Sequence, residues 1–302
     1  MLSGALHRAL DHFAIWTEDR VHRAPEPCVL APPAPLACFG ALPPLPATAP
    51  REGTWSAPSP WPLAAGDRLW VRATPASGPR RGTALLVPPW KIRRPELVSG
   101  WVALLARGGW DTWLLSPPYH LERTAPGARS GEGFVSLDLA RTRSVFEQFV
   151  MEIRASAALA RARGRVALVG LSLGALGAAL ALTGPEPFDA GALVALPSLA
   201  RVLSDTAIGR RYRRLAERAG SGWPAGSDFA AALAPLDPAG RAPTTHRLLL
   251  AAAAHDRVAT PAGALRVAEA WGVEPAVYPR GHLSLIFACG AVRHDVASLL
   301  AE

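Results

Sequence analysis

Apolar and polar positions follow two alternating periods from about residue 63 to the C-terminus. Short apolar runs, typical of buried strands, are separated by longer segments with apolar residues at helical spacing. Strands are predicted at 67–73, 82–87, 110–115, 165–169, 190–196, 246–253 and 274–278. Helices are predicted at 95–107, 261–271 and 283–301, and 133–163 is predicted to be one long helix or a pair of helices. This alternation predicts an α/β fold with a doubly wound, mostly parallel sheet that is covered on both faces.

Two regions depart from the alternation. Residues at about 198–243 combine Arg/Leu helical patterns with Gly and Pro, and we interpret them as a cap inserted over the sheet edge. At the N-terminus, apolar spacing predicts a helix over 1–23, which we expect to dock on the main domain rather than to bind a membrane or partner. The Pro-rich stretch 24–62 is expected to be an extended arm or a linker. We therefore divide the chain into 1–62 and a main domain, 63–302.

The positive charge of the chain is not arranged for binding a polyanion. The formal net charge is +8 over 302 residues, and Lys91 is the only lysine. The arginines occur mostly singly or in pairs, without a basic helix or stripe. Because the sequence contains no recognisable nucleic-acid-binding motif, nucleic acid is not an expected partner. Membrane association is not expected either, since only the net charge favours it.

The three cysteines, Cys28, Cys38 and Cys289, lack Cys-x-x-Cys spacing, which argues against a disulfide framework or a zinc site. A reducing compartment is the simplest inference. The charged first residues lack the apolar core of a signal peptide, and no apolar run reaches the roughly 18 residues of a membrane span. We expect a soluble, cytoplasmic protein without a metal site.

Candidate chemistry centres on the stretch Gly170-Leu171-Ser172-Leu173-Gly174. It follows the predicted strand 165–169 and precedes a small-residue run with good helix propensity. A serine at a sharp strand-to-helix turn is a nucleophile elbow, which exposes the hydroxyl at the sheet edge. The flanking glycines fit, because larger side chains would clash where strand and helix backbones meet.

A serine nucleophile needs a base and an orienting acid, which in this topology follow it in the chain in the order acid, then histidine. Asp256 and His282 each follow a predicted strand, so both side chains would reach the same sheet edge as Ser172. Asp256 is also a candidate helix N-cap, and His282 a candidate structural loop residue. Rival candidates remain open at this stage: the acids Asp205 and Asp237 and the base His255.

A serine mechanism also needs backbone donors for the tetrahedral oxyanion. One donor should be the amide of Leu173, which follows the nucleophile. The other should come from the loop after 82–87, which reads Pro88-Pro89-Trp90-Lys91. Proline has no N–H, so the Trp90 amide is the candidate. The alternative is that the prolines only stiffen a turn and Trp90 only packs.

A polar loop at 117–133 follows a strand at the same sheet edge. We expect it to line the pocket and to hold an anionic group through Arg123 or Arg129. Lys91 and His120 are the further candidate substrate-binding residues. The alternative is a solvated loop with internal ion pairs.

Together, the Gly-Leu-Ser-Leu-Gly elbow, the Asp256 loop and the Gly281-His282 loop resemble the α/β-hydrolase superfamily over about residues 65–301. The resemblance implies an eight-stranded, mostly parallel sheet and ester or related acyl chemistry without a cofactor. The segment 86–90, Leu-Val-Pro-Pro-Trp, also resembles polyhydroxyalkanoate synthases. Those enzymes use a cysteine nucleophile where this chain has Ser172.

The leading hypothesis is a serine hydrolase that cleaves a small-molecule ester or thioester through an acyl-enzyme. Ser172 is the nucleophile, His282 the base and Asp256 the orienting acid. An acyltransferase with the same triad is the first alternative, because an alcohol instead of water would resolve the same acyl-enzyme. A non-catalytic binding or scaffold protein on a hydrolase fold is the second, with the N-terminal region as its interaction element.

Overall fold

The computed structural model describes residues 4–19, 24–43, 48–63 and 66–302. The strands are β1 (Gly53–Leu63), β2 (Gly66–Thr74), β3 (Gly82–Val87), β4 (Trp110–Leu115), β5 (Arg165–Leu171), β6 (Ala190–Val194), β7 (Leu248–Ala253) and β8 (Ala276–Tyr278). The helices are α1 (Gly4–Asp19), α2 (Ser99–Arg107), α3 (Leu139–Arg161), α4 (Leu173–Leu182), α5 (Leu199–Asp205), α6 (Ala207–Arg218), α7 (Gly226–Leu233), α8 (Pro261–Trp271), α9 (His282–Ala288) and α10 (Gly290–Ala301).

The strands form one eight-stranded sheet in the order β1-β2-β4-β3-β5-β6-β7-β8. Its β1–β2 and β2–β4 pairs are antiparallel, and its other pairs are parallel. The central strand β5 pairs with β3 and β6, so its carboxyl end lies in the middle of the sheet. The fold class predicted from the alternating pattern is confirmed.

Both faces of the sheet are buried, which explains the continuous apolar runs of the central strands. In β5, Val166 and Leu168 belong to the core cluster shared with α3 and α4. Ala167, Val169 and Leu171 belong to the opposite cluster, shared with α2, α9 and α10. Alternate residues of a strand point to opposite faces, so one apolar run serves two cores.

The expectation of an arm over all of 24–62 is wrong at its C-terminal end, because β1 begins at Gly53. The sheet therefore starts before residue 63. Pro58, Pro60 and Pro62 obscure this strand in the sequence. Proline is tolerated there because β1 is an edge strand that pairs only with β2, and its register shifts after Pro58.

Two of the predicted helices differ from the structure, and a third extends beyond the described residues. The predicted helix 1–23 is α1 over the described residues, and its first three and last four positions lie outside them. The predicted helix 133–163 starts later, at Leu139, where the Asp138 carboxylate caps the first turn by accepting from the amides of Ala140 and Arg141. The predicted helix 283–301 is two helices, α9 and α10, which meet at 58°.

The described part of the Pro-rich stretch before β1 lies against α3. Arg154, a fully buried residue of α3, donates to the carbonyl oxygens of Cys38 and Gly40 and pairs with the Glu186 carboxylate. Val29 exchanges backbone hydrogen bonds with Leu137 and Leu139 at 2.9 and 3.0 Å. These contacts attach the arm to the body of the molecule.

The cap predicted at about 198–243 consists of α5, α6 and α7 with short 3₁₀ turns between β6 and β7. Val202, Leu203, Tyr212 and Leu215 of α5 and α6 are buried, whereas the arginines of α6 are mostly at the surface. Within the described residues, no single helix is long and apolar enough to cross a membrane, and only the bent pair α9 and α10 together meets that length and composition.

Candidate active site

Ser172 occupies the sharp turn between β5 and α4. Its backbone has φ 53° and ψ −116°, a conformation that costs a non-glycine residue about 1–3 kcal/mol and needs support from its surroundings. Two hydrogen bonds supply that support. The Ser172 N–H donates to the Val194 carbonyl at 2.8 Å, and the Ser172 carbonyl accepts from the Ala175 N–H at 2.8 Å. The turn is therefore anchored to β6 and to α4.

The glycines on either side of the turn allow this close approach. A Cβ at Gly170 would lie 2.6 Å from the Gly174 carbonyl oxygen, and a Cβ at Gly174 would overlap the Val87 carbonyl oxygen of β3. Real Cβ atoms essentially never approach backbone atoms so closely. The Gly-x-Ser-x-Gly pattern is thus a direct consequence of packing a helix start between two strands.

Ser172, His282 and Asp256 form one hydrogen-bonded chain. The Ser172 Oγ lies 2.8 Å from His282 Nε2, and His282 Nδ1 lies 2.7 Å from Asp256 Oδ2. All three residues are buried, with exposed fractions of 7%, 4% and 6% in that order. The other Asp256 oxygen accepts from the amides of Val258 and Ala259, so the carboxylate is fixed at both ends.

The charges around His282 favour its protonated form. Burial alone would lower the pKa of His282, but the charge of Asp256, its hydrogen bond and the charge of Asp11 raise the pKa above its ordinary value of 6.5. A raised pKa makes the imidazole a better proton acceptor from a hydroxyl. Nδ1–H donation to Asp256 leaves the lone pair of Nε2 directed at the serine.

The rival residues lie elsewhere. Asp205 pairs with Arg201 within the cap, and Asp237 pairs with Arg266. His255 stacks on His7 of α1, with ring centroids 6.5 Å apart. The structure brings Asp256, rather than any of these residues, into contact with His282.

The two residues predicted to donate to the oxyanion, Leu173 and Trp90, both line the cavity that contains Ser172. Leu173 is the first residue of α4, so its N–H has no acceptor within the helix. Trp90 lines the same cavity as Ser172, and no described residue accepts a hydrogen bond from its backbone N–H. The neighbouring Lys91 N–H is not available, because it donates to His120 Nε2 at 3.0 Å.

His120 supports the Trp90 loop instead of facing the cavity at Ser172. It is fully buried, its Nδ1 lies 2.8 Å from the Pro118 carbonyl, and its Nε2 accepts from Lys91, a residue with φ 60°. Burial lowers the pKa of His120 to about 4, so the ring stays neutral and keeps its acceptor. The substrate-binding role expected for His120 is corrected to a structural one.

Arg123 and Lys91 also differ from the expectation. The Arg123 guanidinium makes a bidentate ion pair with Glu152, and the two side chains are only 2% and 1% exposed. The Lys91 ammonium lies 4.3 Å from the centroid of the Trp90 ring. Neither side chain lines the cavity at Ser172. Arg129 is exposed, and its amide is bonded to Glu132 within the loop. The alternative of a loop with internal ion pairs does not describe 117–133 either, because Arg123 pairs with Glu152 of α3 and Glu122 pairs with Arg72 of β2.

The cavity at Ser172 is narrow and apolar. It has a volume of about 40 Å³. Its walls come from the elbow and Trp90 loops and from the cap helices α5 and α6. The apolar lining residues are Val135, Leu176, Pro197, Leu199, Val202, Leu203, Ile208, Val258 and Ala259. Residues of the cap therefore form part of the wall of the cavity at Ser172.

Sequence reasoning missed two residues beside this site, His7 and Asp11 of α1. Both are buried against the loop that carries His282. They are four residues apart, so they share one helix face. The apolar spacing of the sequence does not identify that face, because Leu6 and Leu10 are 42% and 41% exposed. Among the residues that the structure describes, no group of three His, Cys, Asp or Glu side chains could hold a metal ion.

Comparison with known proteins finds similarity in structure but not in sequence. No family model and no curated protein matches the chain. A monoacylglycerol lipase from Paleococcus ferrophilus superposes with a TM-score of 0.53 at 15% identity, covering 77% of this chain and 98% of that one. The esterase Pf2001 of Pyrococcus furiosus gives 0.53 at 15% identity, covering 77% and 87%. TT1662 of Thermus thermophilus gives 0.53 at 20% identity, covering 83% and 97%.

These similarities establish the fold. The chain has the α/β-hydrolase fold, as its motifs predict.

Proposed function

We propose that the protein is a serine hydrolase that cleaves esters or thioesters of apolar acyl groups. The observation that carries this proposal is the continuous chain from Ser172 Oγ through His282 to Asp256, with contacts of 2.8 and 2.7 Å. A serine hydroxyl becomes an effective nucleophile when a positioned base removes its proton. The esterase and lipase activities named for two structural neighbours agree with this chemistry.

In the proposed reaction, Ser172 Oγ attacks the carbonyl carbon while His282 Nε2 takes the hydroxyl proton. The carbonyl oxygen becomes an oxyanion, which the amides of Leu173 and Trp90 stabilise. Collapse of the tetrahedral intermediate breaks the bond to the alcohol or thiol, and His282 gives its proton to that leaving group. A water molecule then attacks the acyl-enzyme, again through His282, and releases the acid.

The choice of an apolar substrate rests on the cavity lining. Aliphatic side chains of the cap and the elbow surround the nucleophile, and no charged side chain lines the cavity among the described residues. A charged group buried there would lose its hydration without compensation. We therefore expect uncharged, apolar groups on the acyl side of the scissile bond.

The test is hydrolysis of p-nitrophenyl esters and acyl thioesters of graded chain length by the purified protein. Ser172→Ala and His282→Ala are each expected to lower kcat by about 10⁴-fold or more, because triad members act as a unit. Ser227→Ala is the matched control, since this exposed serine lies in the cap away from the triad. Unchanged turnover in Ser172→Ala would contradict the proposal.

Product analysis in the presence of short alcohols addresses the acyltransferase alternative. Water as acceptor gives only the acid, whereas transfer gives a new ester at the expense of the acid. A folded protein that turns over no ester or thioester would leave the non-catalytic alternative.

A further inference from the structure

The N-terminal helix α1 lies on the two loops that carry the acid and the base of the triad. One loop follows β7 and contains His255, Asp256 and Arg257; the other follows β8 and contains Gly281 and His282. Residues of α1 contact both loops, although they are more than 240 positions away in the chain. The helix therefore adds a further tie between two loops that are already joined by a hydrogen bond from the His255 N–H to the Arg280 carbonyl at 2.9 Å.

Asp11 is the centre of this contact. Its side chain is fully buried. Its Oδ2 accepts from the His282 backbone N–H at 2.9 Å, and its Oδ1 accepts from the Leu283 N–H at 3.1 Å. A longer contact of 3.4 Å joins Oδ2 to the Arg257 N–H, next to Asp256. One carboxylate thus bonds to the residue that provides the base and reaches the neighbour of the acid.

His7 reinforces the same contact one helical turn earlier. Its Nδ1 lies 2.9 Å from Ser284 Oγ, and that hydroxyl accepts from the Gly281 N–H at 3.0 Å. Gly281 leaves room for the helix, because a Cβ there would lie 2.8 Å from the His7 carbonyl oxygen and 2.9 Å from Asp11 Oδ2. A residue with a side chain at position 281 would therefore clash with α1.

We propose that Asp11 is a positioning residue for His282, and that α1 is part of the catalytic apparatus. This inference rests on the proposed function, since it assigns a role within the same site. The Asp11 carboxylate holds the backbone of His282, to which the imidazole side chain is attached. It thereby helps to direct Nε2 toward Ser172. Carboxylates that accept from backbone N–H groups at the start of a helix form strong, charge-assisted bonds.

The position of His282 matters because its two ring nitrogens must reach Ser172 and Asp256 together. A displacement of about 1 Å in a catalytic group can cost on the order of a hundredfold in rate. The helix α9 that begins at His282 has only seven residues. It lacks a side-chain cap of its own at Gly281. Asp11 provides from another element the acceptor that the local sequence does not.

Asp11 also acts on His282 through its charge. The negative groups facing the imidazole are Asp256 and Asp11, while His7, Arg257 and Arg280 lie on the surrounding elements. Loss of the Asp11 charge removes one of the influences that raise the pKa of His282. A carboxylate that supports folding at a distance from His282, such as Asp138, would leave this property of the folded protein unchanged.

The test compares the full chain with Asp11→Asn and Asp11→Ala. Asparagine keeps the size of the side chain but turns an amide N–H₂ toward a backbone donor. The matched control is Asp138→Ala, since Asp138 also accepts from two backbone amides at a helix start, but at α3. We expect both Asp11 variants to lower kcat for a p-nitrophenyl ester by about tenfold to a hundredfold. The KM should stay nearly constant, and the acidic limb of the pH profile should move to lower pH.

A second readout does not depend on turnover. In protein with ¹⁵N-labelled histidine, the His282 Nδ1 proton that is bonded to Asp256 gives a low-field resonance, assigned by its loss in His282→Gln. The pH at which this resonance titrates should fall in Asp11→Asn and stay at the parent value in Asp138→Ala. This measurement separates the two proposals, because it reports on His282 even in a protein that turns over no ester.

The outcomes are distinct. A lower kcat with a shifted pH profile and a shifted His282 titration in the Asp11 variants supports the positioning role. A parent protein without activity contradicts the proposed function, and the NMR titration alone then decides the role of Asp11. A His282 titration that is the same in parent and Asp11→Asn overturns the inference, as does equal loss of activity in Asp138→Ala.

Discussion

At the scale of residues, the site combines local strain with long-range support. Ser172 keeps its left-handed backbone because β6 and α4 bond to it on both sides. Lys91 has φ 60° in the Trp90 loop and is held by His120 in the same way. Strained backbone at these two turns gives Ser172 and the Trp90 loop, the proposed nucleophile and the proposed oxyanion loop, fixed positions.

The protonation state of His282 gives the first prediction. The imidazole must be neutral to accept the serine proton, so kcat/KM should fall as the pH drops through the pKa of His282. Because Asp256 and Asp11 raise this pKa against the opposing effect of burial, the midpoint should lie above 6.5. The measurement is kcat/KM between pH 5 and 9 on an ester whose leaving group does not titrate in that range. A midpoint below 6.5 would contradict the electrostatic account.

How much the sequence predicts at this scale depends on the distance between partners. Ser172, Asp256 and His282 follow strands, and topology alone brings the ends of parallel strands to one edge. The sequence predicts a pocket position for Arg123 because its loop follows a strand at that edge, and nothing near Arg123 in the chain identifies its ion-pair partner. Its carboxylate, Glu152, lies on α3 and becomes visible only in the folded structure.

At the scale of elements, the cap forms part of the cavity around Ser172, the proposed nucleophile. Helices α5 and α6 place Val202 and Ile208 over Ser172. The apolar faces of these helices can be recognised in the sequence. Their arrangement over the sheet edge cannot be predicted from it, because three short helices with Gly and Pro breaks allow many arrangements. In the edge strand β1, by contrast, the local sequence points away from the observed structure. Its prolines argue against a strand unless its position at the edge is known.

Substitution in the cap should change the preferred acyl length. Ile208→Ala removes bulk from the cavity wall, so the chain length with the highest kcat/KM is expected to increase by a few carbons relative to the parent. The matched control is Leu265→Ala, which shortens a 39% exposed side chain on α8 outside this cavity. The measurement is kcat/KM over a p-nitrophenyl ester series. The same chain-length optimum in Ile208→Ala and the parent would place the acyl group elsewhere.

At the scale of the whole molecule, the segments before the sheet are parts of one structure. The arm crosses α3, where buried Arg154 binds its carbonyl groups, and α1 reaches the triad loops. The sequence predicts the first helix from its apolar spacing, and docking on the main domain is the simplest expectation for such a helix. It does not predict where, because a docking site is a property of the assembled surface rather than of the helix.

The attachment of the arm can be followed through its cysteine. Burial, together with the charge of Glu147, raises the pKa of the Cys38 thiol to about 12, so the folded protein should protect Cys38 from maleimide. Arg154→Ala removes the donor to the Cys38 and Gly40 carbonyls and leaves Glu186 unpaired. Peptide mapping after timed labelling should then show faster modification of Cys38.

Cys289 provides an internal control for that experiment, since it is equally buried but belongs to the core on the other face of the sheet. Faster labelling of Cys38 alone indicates local release of the arm. Equal acceleration at both thiols would mean that Arg154→Ala unfolds the whole molecule, and unchanged protection of Cys38 would show that Arg154 does not hold the arm.

The central claim is that Ser172 is an activated nucleophile, and covalent labelling with a fluorophosphonate tests it most directly. Intact mass should show one adduct per chain, and peptide mapping should place it on Ser172. Ser172→Ala should not react, and Ser227→Ala should react like the parent. A folded protein that stays unlabelled, or is labelled at another serine, would contradict the account and leave Ser172 as a strained turn residue without catalytic activation.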